Sequence, residues 1–155
     1  MIVVADTSPL NYLVLIQQID ILGVMYGEVL IPPAVQDELL DPLAPALVRS
    51  WMSNPPPWLE VRTPGRIALP LHPRLDDGER EAIILAHSGT AGSLLLIDEL
   101  LGRKEAVRIG LTVIGTLGIL QEAHDRGLLD LRKAIDLLTT TNFKISDALL
   151  KKFMG

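Results

Sequence analysis

Two short apolar runs of the sequence each end on an aspartate. Met1–Ala5 precedes Asp6, and Leu94–Ile97 precedes Asp98. Runs this apolar are typical of strands that are buried on both faces, as in a parallel sheet. In open α/β sheets, ligands bind beyond the carboxyl ends of the strands. We therefore expect both carboxylates at one edge of a sheet, where concentrated negative charge favours a cation.

The rest of the chain alternates between strand and helix patterns. Short apolar runs bounded by turn residues predict three further strands, at Glu28–Ile31, Trp58–Val61 and Thr112–Ile114. Apolar spacing and capping signals predict helices after Ser8 and Asp76, and over residues 19–26, 34–40, 43–52, 99–108, 115–127, 131–138 and 146–153. Ser8 before Pro9 is expected to be the N-cap of the first helix. Asp76 and Glu79 fit a capping box.

Strands that alternate with helices indicate a parallel sheet covered on both faces. We predict an α/β fold with three layers, α/β/α, around a central, mostly parallel sheet. We see no internal repeat or linker, and we expect one domain over residues 1–155, with a core over 2–129 and C-terminal helices over 130–155. Residues 63–74, with three prolines and a glycine, are expected to be irregular.

Composition narrows the possible functions. The chain has 155 residues and no cysteine, which excludes disulfides and thiolate chemistry. Its net charge of −5 gives no general attraction for nucleic acid, so a nucleic-acid enzyme would need its acids in the site and its bases on the rim. No apolar stretch reaches the roughly 20 residues of a membrane span, and signal-peptide features are missing. We therefore expect a cytoplasmic protein.

Four acids are candidates for one metal-binding edge of the sheet. Asp6 and Asp98 follow strands, Glu38 lies early in the helix after the second strand, and Glu81 lies early in the helix before Asp98. Glu81 reaches the same edge only if its helix runs suitably. Carboxylates around Mg²⁺ are an arrangement for phosphodiester hydrolysis. The simpler alternatives are N-capping for Asp6 and Asp98, and solvated helix positions for Glu38 and Glu81.

The order and spacing of several motifs resemble the PIN-domain ribonucleases, close to the VapC-type toxins that are encoded beside a small antitoxin. The resemblance spans Ile2 to about Leu129 and is carried by the segments Val4–Leu10, Ile31–Leu39, Leu75–Ile83, Leu96–Glu99, Gly102–Ala106 and Gly115–Leu120.

The resemblance implies a metal-dependent endoribonuclease that uses Mg²⁺ or Mn²⁺ and leaves a 3′-hydroxyl and a 5′-phosphate. It implies that Asp6, Glu38, Glu81 and Asp98 are the catalytic and metal-binding residues, with Asp76, Asp77 and Glu79 as alternatives to Glu81. Residues expected to orient these acids or to bind substrate phosphate are Thr7, Ser8, Asn11, Arg103 and Thr116. The expected partners are RNA, a small antitoxin and a second copy of the chain, with residues 20–26 and 44–52 as contact surfaces.

Two other functions can be compared with this one. Aspartyl-phosphate hydrolases also place an aspartate after the first strand, but they need a second one two residues later, where this chain has Ser8. A catalytically silent PIN-fold binding module is the alternative from a different class, and a site poor in acids would favour it.

Overall fold

The computed structural model describes residues 1–154 as a five-stranded sheet packed between helices. The strands are β1 (Ile2–Ala5), β2 (Val29–Ile31), β3 (Leu59–Val61), β4 (Ser93–Leu96) and β5 (Thr112–Ile114). The helices are α1 (Thr7–Leu15), α2 (Ile21–Tyr26), α3 (Pro33–Leu40), α4 (Ala46–Ser53), α5 (Asp77–His87), α6 (Leu100–Arg108), α7 (Thr116–Asp125), α8 (Leu131–Leu138) and α9 (Asp147–Met154).

All five strands are parallel and lie in the order β3-β2-β1-β4-β5. The centre of the sheet is the pair of β1 and β4, in which Ile2 lies opposite Ser93 and Ala5 opposite Leu96. Because the strands are parallel, their carboxyl ends share one edge. β2 and β3 extend the sheet to one side of β1, and β4 and β5 extend it to the other.

The strand alternation divides the core between the two faces of the sheet. Val3 and Ala5 belong to the apolar cluster that includes buried residues of α1, α3, α4, α7 and α8. Val4, between them, belongs to the opposite cluster, which includes buried residues of α5 and α6. Successive side chains of a strand point to opposite faces, so an apolar run such as residues 2–5 can fill both layers. The predicted three-layer α/β/α fold is confirmed.

The start of α1 differs from the prediction. Asp6, with an extended backbone, takes the N-cap position, and Ser8 lies inside the helix. The prediction of Ser8 as the N-cap was therefore wrong. Pro9 still falls in the first turn, where its missing N–H costs nothing. The predicted capping box of Asp76 and Glu79 is present at the start of α5.

The C-terminal helices pack on the same face of the sheet as α7. Leu131, Ala134, Ile135 and Leu138 of α8 are buried in that core, and α9 packs against it through partly buried apolar residues. The organisation as a single domain stays a prediction. Within residues 1–154 we find no helix whose length and apolar character would let it cross a membrane.

Candidate active site

A cleft of about 920 Å³ opens at the carboxyl edge of the sheet. Asp6, which follows β1, and Asp98, two residues beyond β4, both line it. Between β1 and β4 the strand order changes direction. In parallel sheets, connections leave such a switch point on opposite faces, which opens a crevice for a ligand. The fold therefore brings together the two aspartates that end the apolar runs.

Asp6 is the most deeply buried acid of the cleft, with 5% of its surface exposed. Although it holds the N-cap position of α1, its side chain makes no capping hydrogen bond. Its Oδ1 is buried and has no hydrogen-bond partner within residues 1–154. Burial raises the pKa of Asp6 to about 7, and neighbouring carboxylates, Asp76 first among them, push it in the same direction. An orphaned buried oxygen of this kind calls for a ligand or a proton.

Asp98, in contrast, accepts hydrogen bonds on both of its carboxylate oxygens. Its Oδ1 accepts from the backbone N–H of Thr116 at 2.7 Å, and its Oδ2 accepts from the hydroxyls of Thr116 at 2.7 Å and Ser8 at 2.6 Å. Gly115 lies so close that a Cβ there would stand 2.9 Å from Oδ1. These three donors fix the orientation of the carboxylate in the cleft.

Glu38 reaches the cleft from α3. Its Oε2 accepts a hydrogen bond from the hydroxyl of Thr7, which lies next to Asp6 in the chain. Burial raises the pKa of Glu38, and the charge of Asp76 adds to this. A Cβ at Gly78 would stand 2.5 Å from Oε1 of Glu38. The glycine at the start of α5 therefore leaves the space that the carboxylate occupies.

The start of α5 adds two acids to the cleft. Asp76 caps the helix by accepting from the backbone N–H of Glu79 at 2.7 Å. Glu79 is 7% exposed, and burial, followed by its contacts with Asp76 and Glu99, raises its pKa well above the usual range. Against the effect of burial, the N–H groups of Gly102 and Leu101 hold the pKa of Glu99 low. The raised pKa favours the protonated form of Glu79, which lessens the negative charge of the cleft.

Glu81 does not reach the cleft. Its Oε1 accepts from the backbone N–H of Ala34 at 3.2 Å, at the start of α3. This contact serves a helix end whose N-cap, Pro32, has no polar side chain. At about 100° per residue, position 81 lies about 200° around α5 from Glu79, so the two side chains leave the helix in different directions. The expectation that Glu81 joins the other three acids is therefore not met, and its neighbours Asp76 and Glu79 line the cleft instead.

The remaining predicted residues lie in the cleft wall. Thr7, Ser8 and Thr116 hold the acids as described, while Asn11 and Arg103 line the cleft. One guanidinium N–H of Arg103 donates to the carbonyl of Ile97 at 3.1 Å, so part of this side chain stabilises the end of β4. The sequence did not predict that Tyr12, Glu99 and C-terminal residues such as Asn142 would line the cleft. The four acids among residues 76–81 were the feature of the sequence that could have indicated Glu79 as a residue of the cleft.

The acids of the cleft offer the kind of donor atoms that a divalent cation prefers. Asp6, Glu38, Asp76 and Asp98 offer only oxygen ligands, as Mg²⁺ and Mn²⁺ prefer, and Oδ1 of Asp6 has no other partner. Over residues 1–154, however, no three acidic or histidine side chains are grouped tightly enough to enclose an ion as they stand. The oxygen donors of these acids suit a hard cation, but the carboxylates are spaced too widely to enclose an ion as they stand.

Fold and cleft together define an α/β protein with an acidic site at the switch point of a parallel sheet. A family model described as the PIN domain matches residues 2–155, and the chain belongs to this family. Among the curated proteins, none matches this chain. PIN domains are in general nucleases that act on RNA and use divalent metals.

Proposed function

We propose that the protein is a metal-dependent endoribonuclease that hydrolyses RNA phosphodiester bonds. The observation that carries the proposal is the buried, unpartnered Oδ1 of Asp6, which lies in one cleft with Glu38, Asp76 and Asp98. A nuclease of the PIN family needs such acids, and a structural role as a helix cap leaves Asp6 unexplained because it makes no capping bond.

Asp6, Glu38, Asp76 and Asp98 are the residues that would hold Mg²⁺ or Mn²⁺. When bound, such an ion activates water and neutralises charge that develops on the phosphoryl group. Ser8 and Thr116 hold the carboxylate of Asp98 in a fixed orientation, and Thr7 orients Glu38. Such supporting hydrogen bonds are usually worth 10- to 100-fold in metal affinity or activity. The raised pKa of Glu79 favours its protonated form, which limits the repulsion among the acids.

Cleavage of a mixed RNA pool with Mg²⁺ or Mn²⁺ tests the proposal. Wild type is expected to cut, and Asp6→Asn is expected to abolish cutting. Asp37→Asn is the matched control, because it makes the same chemical change on an exposed acid next to Glu38 that lies outside the cleft. Equal cutting by Asp6→Asn and wild type would refute the assignment of Asp6.

A catalytically silent binding module is the second candidate, and two observations favour it. Both oxygens of Asp98 are already engaged, and over residues 1–154 the acids do not form a closed chelate. Calorimetric titration with Mn²⁺ separates the two candidates. Binding that Asp6→Asn removes supports the nuclease, whereas no binding and no cutting by wild type supports the silent module.

A role as the VapC-like toxin of a toxin–antitoxin pair, acting as a homodimer, is a further part of the proposal. Its support is the resemblance to that subgroup and the exposed apolar side chains Val24 in α2 and Leu47 in α4, which lie on the surfaces expected to contact partners. Expression of the chain alone is expected to arrest growth, and Asp6→Asn to relieve the arrest. A monomer at micromolar concentration in sedimentation would contradict the dimer.

A further inference from the structure

Residues 62–76 lead from β3 to α5 and contain neither helix nor strand. Over residues 1–154, the backbone hydrogen bonds of residues 63–75 join only members of this stretch, such as Leu75 to His72 at 3.2 Å. Backbone bonds therefore do not fix where the stretch lies against the sheet or the helices. Its last residue is nevertheless Asp76, which is both a carboxylate of the cleft and the N-cap of α5. Other contacts must set the position of this carboxylate.

Two side chains of α6 hold this stretch by short hydrogen bonds. Oε1 of Glu105 accepts from the backbone N–H of His72 at 2.7 Å. The guanidinium of Arg108 donates to the carbonyl of Pro70, also at 2.7 Å. Glu105 and Arg108 pair with each other, with Nε 2.9 Å from Oε2. Arg80 of α5 adds a longer bond, of 3.3 Å, to the carbonyl of His72. Glu105 thus bonds to the stretch directly and also orients the arginine that holds Pro70.

The chemistry of Glu105 suits it to fix a position. Its side chain is 13% exposed and lies outside the cleft. The guanidinium of Arg108 and, against the effect of burial, the N–H of His72 hold the pKa of Glu105 below its usual range, so it is ionised at neutral pH. Leu71 and Leu75 also pack against the core beside α5. Apolar packing has no preferred direction, whereas charge-assisted hydrogen bonds have a preferred length and angle. The polar contacts therefore set the position of the stretch.

We infer that Glu105 is a positioning residue for the acidic cleft, which acts by fixing the carboxylate of Asp76. The inference rests on the proposed function and adds to it a residue that touches neither metal nor RNA. His72 precedes Asp76 by four residues, and the turn between them is closed by the bond from Leu75 to His72. A shift of His72 is therefore transmitted to Asp76, whose bond to the N–H of Glu79 starts α5. Outer contacts of this kind orient the groups that bind a metal.

A second glutamate–arginine pair of the chain offers a matched control. Glu122 and Arg126, at the end of α7, pair at 2.7 Å, and Arg126 donates to the carbonyl of Met25 at 3.2 Å. Like Glu105 and Arg108, this pair joins a helix to the backbone of another segment, and neither of its residues lines the cleft. If Glu105 only stabilised the fold, Glu105→Ala and Glu122→Ala would act alike.

Calorimetric titration of the full chain with Mn²⁺, alongside thermal unfolding of the same samples, tests the inference. We expect Glu105→Ala to weaken the affinity for Mn²⁺ about tenfold, the lower end of the effect of contacts that orient metal ligands, and Glu122→Ala to weaken it less than about twofold. Glu105→Gln keeps an oxygen that can accept from His72, so it is expected to recover part of the loss. In an Asp76→Asn background, Glu105→Ala is expected to have little further effect.

Amide hydrogen exchange of Glu79 in metal-free protein is a second measurement, because this N–H donates to Asp76. We expect faster exchange in Glu105→Ala than in wild type or Glu122→Ala. Equal affinity of the two alanine variants for Mn²⁺, or an undiminished loss in the Asp76→Asn background, would overturn the inference while the nuclease proposal stands. If wild type binds no Mn²⁺ and cuts no RNA, the nuclease proposal fails and the exchange of Glu79 decides. Equal exchange in all three proteins then overturns the positioning of Asp76 as well, whereas faster exchange in Glu105→Ala alone supports it.

Discussion

Replacement of Gly78 by alanine is expected to displace a carboxylate of the cleft with little effect on the stability of the fold. The new Cβ would stand 2.5 Å from Oε1 and 3.1 Å from Cδ of Glu38, too close for either atom to remain in place. The clash falls on the end of a flexible side chain, so Glu38 can turn away without unfolding its surroundings. Alanine in a helix is favoured over glycine by up to about 1 kcal/mol. We therefore expect the free energy of unfolding to change by less than about 1 kcal/mol.

Activity, in contrast, is expected to fall strongly in Gly78→Ala. A catalytic group that is misplaced by about 1 Å can cost about 100-fold in rate, and the clash requires a shift of that order. The assay is RNA cleavage with Mn²⁺, with thermal unfolding of the same samples. A double-mutant cycle with Glu38→Gln tests the route of the effect, because a residue that acts through Glu38 has little further effect once Glu38 is changed. Wild-type cleavage by Gly78→Ala, or an undiminished loss in the Glu38→Gln background, would refute the reasoning.

Four further predictions address other groups in and near the cleft. Thr116→Val removes one of the hydroxyls bonded to Asp98, and we expect cleavage to fall 10- to 100-fold; an unchanged rate in the same assay would contradict this. The pKa of Asp6 rises from 3.8 to about 7 on folding, so Asp6 binds its proton more tightly in the native state. Without metal, the free energy of unfolding should therefore decline between pH 4 and 7 by roughly 3–4 kcal/mol more in wild type than in Asp6→Asn. An equal pH dependence of the two proteins in denaturant unfolding would refute this. Glu79→Gln replaces a carboxyl whose protonated form is favoured by a neutral amide, so the free energy of unfolding at pH 7 should change by less than about 1 kcal/mol. Glu81→Gln should leave cleavage within about twofold of wild type, because Glu81 bonds to the start of α3 and not to the cleft acids. Loss of cleavage in Glu81→Gln would show that this residue does belong to the active site.

The strands of the sheet could be predicted because their physical signal is local. A strand buried on both faces must be apolar throughout, so residues 2–5 and 94–97 stand out, and an aspartate after such a run marks the sheet edge. The capping box of Asp76 and Glu79 is likewise a signal that spans four residues. These local rules were sufficient to predict the three-layer fold and the position of Asp6 and Asp98 at the same edge of the sheet.

The details of the site depend on geometry that local patterns do not contain. Glu79 and Glu81 are both early acids of α5, and only the rotation of the helix against the sheet decides which of them meets Asp76 and Glu99. The C-terminal residues that line the cleft could not be predicted for a similar reason. Tyr12 and Asn142 are 130 residues apart, and no periodicity in either segment indicates their contact.

Single-turnover cleavage of one defined RNA against Mn²⁺ concentration tests the central claim most directly. The account predicts that the rate of wild type saturates with the metal, that EDTA stops cleavage, that Asp37→Asn follows wild type, and that Asp6→Asn does not cut at any metal concentration. Cleavage that survives EDTA or Asp6→Asn, or an absence of cleavage by wild type at saturating metal, would contradict it.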